Sequence, residues 1–413
     1  MLILHLDKSG RGPIIYLYLR CSWRNLKIMI KTIINTAVVG AISMLLFAAC
    51  GQRNTTTAFT KSGLDRRNFQ RVIDGDSTDL FVLTNAAGME VCITNYGGRI
   101  VSMMVPDAEG EFRDVVLGFD NIDEYTSRPS SFGATIGRFA NRIKHGRFVL
   151  GSDTVRLDVN SGIHTIHGGS EGWQYQVFDA VQPDDSTLVL AYLSPDGEGG
   201  FPGEVNVEVT LSLGHRNELA IDYRASTTKT TVMNMTNHSF FNLSGDAGNT
   251  ILNDILFVNA DGFTPLDSTL VPTGEITPVK GTPFDFTKPL AIGEGMARDT
   301  LHEQLRVAGG IDHNFVLNTR HDPLVPAARL YSPRSGIVME VYTTEPGLQV
   351  YTGNMLDGSR IGKRQQPYDK QVAVCLEAQH FPDSPNNPQF PSTVIEPGTP
   401  YRSSCTYRFL TER

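Results

Sequence analysis

The feature that most constrains this chain is the two-residue period of its apolar positions. In Glu204–Leu213 (EVNVEVTLSL), Val205, Val207, Val209, Leu211 and Leu213 alternate with polar residues. Successive side chains of a β-strand point to opposite faces, so one face meets a core and the other meets solvent or a second layer. The period returns in ELAIDYRA, through Leu219, Ile221 and Tyr223, and in segments that begin at Asp79, Met89, Arg99, Gly146, Thr187 and Gly336. Turn signals separate them: Asn95-Tyr96-Gly97-Gly98, Pro195-Asp196-Gly197, Gly245-Asp246-Ala247-Gly248 and Asp261-Gly262. Helical periodicity is scarce, with room for one or two short helices over 289–306. Many antiparallel strands with few helices predict an all-β fold, a large antiparallel β-sandwich. No fixed-period repeat and no low-complexity linker follows residue 65, so residues 67–413 read as one continuous domain.

Composition narrows the function. The formal net charge is −8, with no basic run in the body of the chain, which argues against nucleic acid or an anionic membrane surface as partner. The 39 glycines and 22 prolines suit many turns. Cys21, Cys50, Cys92, Cys375 and Cys405 show no CxxC pair and no metal-ligand spacing. Cys92 and Cys375 lie in apolar runs and read as buried thiols.

The front of the chain reads as an address. Residues 33–49 are apolar or small and uncharged, Lys27 and Lys31 precede them, and Ala48-Ala49-Cys50-Gly51 follows. A basic start, an apolar core and small residues before a break describe a secretory signal. Cysteine directly after the small residues resembles a bacterial lipoprotein signal, in which Cys50 takes the lipid anchor. An uncut signal anchor is the alternative, but the uncharged stretch is short for a spanning helix. Met29 begins a compact signal, so residues 1–28 read as an over-extended N-terminus, 29–49 as the signal peptide and 50–66 as a flexible tether. Export to the cell envelope, periplasm or outer membrane, is the expectation.

Four segments place chargeable residues inside apolar surroundings, where burial is costly without a partner or a purpose. Gly137 to Ile143 holds Arg138, Asn141 and Arg142; an arginine fork can hold two hydroxyls or a carboxylate, or simply pair with a structural acid. His164 to Gly169 holds two histidines, either of which could equally be a structural residue. Met235 to Leu243 sets His238 among amides and aromatics, which suits the C–H face and hydroxyl edge of a sugar but also an aromatic core strand. Val374 to Asp383 places Glu377 after VAVCL; a buried carboxylate has a raised pKa and can serve as a base, or can pair with an arginine. Gln379 and His380 nearby favour a functional reading.

Taken together and in order, these segments resemble the aldose 1-epimerase (galactose mutarotase) family over nearly all of residues 67–411. The likeness includes Asn95 to Gly98, Gly137 to Ile143, Ile166 to Gly169, Asp196 to Gly203, Thr236-Asn237-His238, Phe241-Asn242-Leu243, Asp312 to Phe315, Pro346 to Asn354, Leu376 to Gln379 and Pro382-Asp383. The resemblance implies a β-sandwich and interconversion of the α and β anomers of free aldoses. By position it implies Glu377 as general base and His238 as general acid. It implies Asn141, Arg142, His167, Asp312 and Gln349 as sugar-binding residues. Ring opening and closing needs one acid and one base, so no cofactor or catalytic metal is expected; a structural cation such as Ca2+ is compatible with the sequence. The expected partner is a small aldose, with the membrane reached only through the lipid, and the expected state is a monomer. Three rivals remain: a glycoside hydrolase using Asp312 and Glu377, a non-catalytic sugar-binding lipoprotein, and a hexose-phosphate mutarotase.

Overall fold

The computed structural model describes residues 59–412; residues 1–58, with the signal segment and Cys50, lie outside the described residues. The alternating segment becomes the strand Val205–Leu213, whose odd-numbered residues are buried. It pairs antiparallel with Glu218–Thr227, Leu213 facing Leu219. These two belong to a nine-stranded antiparallel sheet. Its order is Asp179–Asp184, Thr187–Ser194, Val205–Leu213, Glu218–Thr227, Tyr401–Thr411, Ile337–Thr343, Pro326–Tyr331, Ile255–Val258 and Leu290–Ala291. The C-terminal strand thus sits in the middle and ties the earlier strands to the later ones.

A five-stranded sheet runs Thr277–Pro278, Ala260–Phe263, Asp312–Leu317, Gly347–Tyr351 and Cys375–Gln379, and a four-stranded meander covers Leu80–Thr84 to Phe112–Asp114. One apolar cluster draws on all three sheets, from Leu83, Val91 and Met103 through Val207 and Leu211 to Leu348, Val350, Leu376 and Ala378. This is the sandwich expected from the period. Two short helices, Ile292–Ala297 and Glu303–Ala308, fall where helical signal was expected. Cys92, Cys375 and Cys405 are buried free thiols.

The stretch read as a tether differs at its C-terminal end. Phe59 bridges Asp65, the Lys61 amide donates to Glu90, and Leu64 is buried against Phe69 and Cys92. The polar composition of 51–63 hid Leu64, one apolar residue that finds a partner in the body.

The period also sorts the site. Leu348, Val350, Leu376 and Ala378 face the core, so Gln349, Tyr351, Cys375, Glu377 and Gln379 face the other side. Directly paired residues share a face, and the register matches Gln349 with Glu377 and Asn314, and Tyr351 with Cys375 and Asp312. One face of this sheet therefore carries Asp312, Tyr351 and Glu377 together.

Candidate active site

A cleft of about 500 Å³ opens over that face. Asn141, Arg142, His167, His238, Asp312 and Glu377 all line it, with Phe240 and Tyr351. His238 arrives on Thr236–His238, which pairs with Ala134–Ile136, and a bridge between Phe241 and Val374 holds that segment beside the Glu377 strand. His238 Nε2 lies 3.7 Å from Glu377 Oε1, both side chains being almost fully buried. The imidazole stacks on Phe240 at 5.0 Å between centroids and meets the edge of His167 at 5.2 Å.

Electrostatics push this pair toward its uncharged form. Burial, then the nearby Asp312, raises the Glu377 pKa well above the carboxylate range. Burial lowers His238 to about 4. Both shifts favour the arrangement with the shared proton on Glu377 and a neutral His238 over the ion pair. Glu377 Oε2 has no protein partner and is free to take one from a ligand.

Asn141 and His167 lock two loops together. The strands Arg142–Ile143 and Thr165–Ile166 pair, Ile166 facing Arg142. The Asn141 amide donates to His167 Nδ1 at 3.2 Å, and the His167 amide donates to the Asn141 carbonyl at 3.1 Å. Both residues adopt the left-handed backbone region, at φ 61 and 51, which asparagine and histidine enter more readily than most side chains. Because Nδ1 accepts a hydrogen bond, the neutral ring carries its proton on Nε2, as a donor to a ligand. Burial, His238 and Arg142 lower its pKa and keep it neutral. Arg142 is fixed from behind: its carbonyl accepts from the Asp383 amide at 2.9 Å, which links it to the end of the Glu377 strand.

Asp312 is held by Gln349, whose Nε2 donates to Oδ1 at 2.7 Å. Gln349 is buried, and its Oε1 has no protein partner. Arg138 is turned away from the cleft. Its guanidinium donates to Ser194 Oγ and to the carbonyls of Ser194, Pro195, Pro202 and Gly203, so it organises the Asp196–Gly203 turn. His164 Nδ1 accepts from the His145 amide, and His380 pairs with Glu345; both are structural. Tyr351 was not singled out from sequence, although alternation from Gln349 points to it. Arg99 is a second omission: fully buried, it donates to the carbonyls of Ser130, Phe132 and Gln174, and Ser130 and Gln174 are at the cleft.

His238, Cys375 and Glu377 offer ligand atoms within 4.8 Å of one another, the group among the described residues with metal-ligand chemistry. The thiol approaches Nδ1 and the carboxylate Nε2, and one ion can take only one ring nitrogen. The arrangement suits hydrogen bonding and proton exchange better than coordination.

Fold and site define an enzyme with an acid–base pair in a cleft on one face of an antiparallel sandwich. The sequence profile of the aldose 1-epimerase family matches residues 79–408, and the chain belongs to that family. It is 41% identical over 321 residues to the galactose mutarotase of Mus musculus, covering 78% of this chain and 91% of that protein. It is 35% identical over 341 residues to the aldose 1-epimerase of Escherichia coli (strain K12), covering 82% and 97%. Among solved structures it resembles the GalM/aldose epimerase homologue from C. elegans, with a TM-score of 0.76 at 28% identity over 81% of this chain and 100% of that one. The galactose 1-epimerase of Lactobacillus acidophilus is similar, with a TM-score of 0.73 at 28% identity over 83% and 97%.

Proposed function

We propose that Glu377 and His238 are the base and acid of the mutarotation that this isomerase performs on free aldohexoses such as galactose and glucose. The observation that carries the assignment is the His238–Glu377 approach at 3.7 Å in a buried cleft lined by hydroxyl-binding groups. Glu377 carboxylate takes the proton of the C1 hydroxyl, C1=O forms and the C1–O5 bond breaks. O5 takes the proton of His238 Nε2. The C1 end then rotates about the C1–C2 bond. O5 attacks the other face of C1 and returns its proton to His238, while the new C1 hydroxyl recovers its proton from Glu377. The pair ends with the proton count with which it began. Its uncharged form, favoured by burial, is the form it takes beside the open-chain aldehyde.

Arg142, His167 and Asp312 hold the ring hydroxyls, with Asn141 and Gln349 as their supports. Proton transfers alone suffice, so the reaction needs no metal or organic cofactor. Among the described residues Arg142 is the one arginine or lysine lining the cleft, which favours a free sugar over a sugar phosphate. Polarimetry on freshly dissolved α-D-galactose and α-D-glucose tests the activity: the chain should speed the approach to an unchanged final rotation. A time course equal to that without protein overturns it.

The leader extends this reading to location. With Cys50 acylated, a monomer would handle sugars at the cell envelope. No helix of the described residues is long and apolar enough to cross a membrane. Cys50→Ala should move the protein from the membrane fraction to the soluble one with kcat unchanged. Mass spectrometry that finds an unmodified Cys50 in membrane-bound protein would reject the anchor.

A further inference from the structure

His238 has a second neighbour, at the nitrogen that Glu377 does not face. Cys375 Sγ lies 3.6 Å from Nδ1. Cys375 is fully buried, free of any disulfide, and does not line the cleft. It precedes Glu377 by two residues on one strand, so the period sends both side chains to the same face. The ring between them is clamped by Phe240 and by the edges of His167 and Tyr351. The titratable and charged groups that face or influence it are Glu377, Cys375, Tyr351, His167 and Arg99, and the residue's own backbone adds a hydrogen bond that favours the protonated ring.

We propose that Cys375 is a positioning residue for mutarotation: its sulfur accepts the Nδ1–H of His238 and fixes the tautomer in which Nε2 alone trades a proton with the sugar ring oxygen. The inference rests on His238 being the acid. An imidazole that gives and regains a proton at Nε2 throughout a cycle must keep its other proton on Nδ1. A carboxylate beside Nδ1 would hold that proton too, but would stabilise the imidazolium and weaken it as an acid. A neutral sulfur is a weak acceptor that orients the ring without adding charge. Burial keeps the Cys375 thiol neutral, its pKa raised well above the ordinary value.

Nitrogen-15 NMR of the full chain labelled at histidine reads the tautomer directly. The wild type should show His238 protonated at Nδ1. Cys375→Ala should show a mixture of tautomers and a kcat about fivefold lower, one neutral hydrogen bond's worth, with KM unchanged because Cys375 is outside the cleft. Cys375→Ser, which keeps an acceptor, should recover most of kcat. Wild-type His238 protonated at Nε2 with a bare Nδ1 overturns the proposal, as does a Cys375→Ala chain with wild-type tautomer and kcat. The wild-type spectrum decides without a variant, should Cys375→Ala fold poorly. A wild-type chain that does not speed mutarotation overturns the parent reading as well, whereas an active chain with the Nε2–H tautomer overturns this inference alone.

Discussion

Glu377 sits in the sheet face with one oxygen unpartnered, and its raised pKa has consequences for stability as well as for rate. A carboxyl whose folded pKa lies above its unfolded value contributes stability in full below the unfolded value and loses it as pH rises through the folded one. Glu377→Gln cannot lose a proton there. Its melting temperature should exceed the parent's at about pH 8, and the gap should close toward about pH 4. A constant gap across that range would contradict the raised pKa. The rate follows the shared proton. The working pair holds one, a second arrives only as His238 titrates at about 4, and the last leaves at the raised value of Glu377. The profile of kcat/KM should be a broad bell, its acid limb near 4 and its alkaline limb above the ordinary carboxyl range. An acid limb near the unperturbed histidine value of about 6.5 would mean that His238 is not desolvated as described.

The strands that carry the site, Asp312–Leu317, Gly347–Tyr351 and Cys375–Gln379, are not among the segments marked by the two-residue period; their residues stood out in sequence only as chargeable groups in apolar surroundings, and alternation accounts for their facing once the strands are known. Leu376 and Ala378 point to the core, so Glu377 is forced to the opposite face, and the register sets Gln349 beside it. Loops resist the same reading. Arg138 and Arg142 looked alike in sequence, yet the left-handed turn at Asn141 breaks the period between them and sends one to a turn and the other to the cleft. The bond from Gln349 Nε2 to Asp312 was not legible either, because a position on a face does not say which neighbour a side chain reaches. The loop itself depends on one glycine. A Cβ at Gly137 would fall 1.9 Å from the ring of Trp173, which is fully buried and cannot retreat. Gly137→Ala should cost about 1–3 kcal/mol in chemical denaturation and raise KM, since the same loop carries Asn141 and Arg142. An unchanged midpoint and KM would show that the loop yields without disturbing the site.

At the scale of the molecule, the cleft forms where the loops around Asn141 and His167 close over strands that hold Asp312, Tyr351 and Glu377. The segments are scattered along the chain, and the five-stranded sheet brings three of them together, with Asp312–Leu317, Gly347–Tyr351 and Cys375–Gln379 side by side. Alternation in the sequence revealed the all-β character and some of the strands; it did not reveal the remaining strands or which loop meets which face, because those contacts join residues far apart. The whole architecture serves one function in this account, to hold an acid and a base over a single proton. The direct test is the polarimetric rate of Glu377→Gln, His238→Asn and the double variant on α-D-galactose. Each single variant should lose about 10²–10⁴-fold in kcat with the fold intact. The double variant should be no slower than the worse single one, because groups that act as a unit are lost together. Losses that multiply in the double variant, or a single variant that keeps its full rate, would contradict the shared-proton pair.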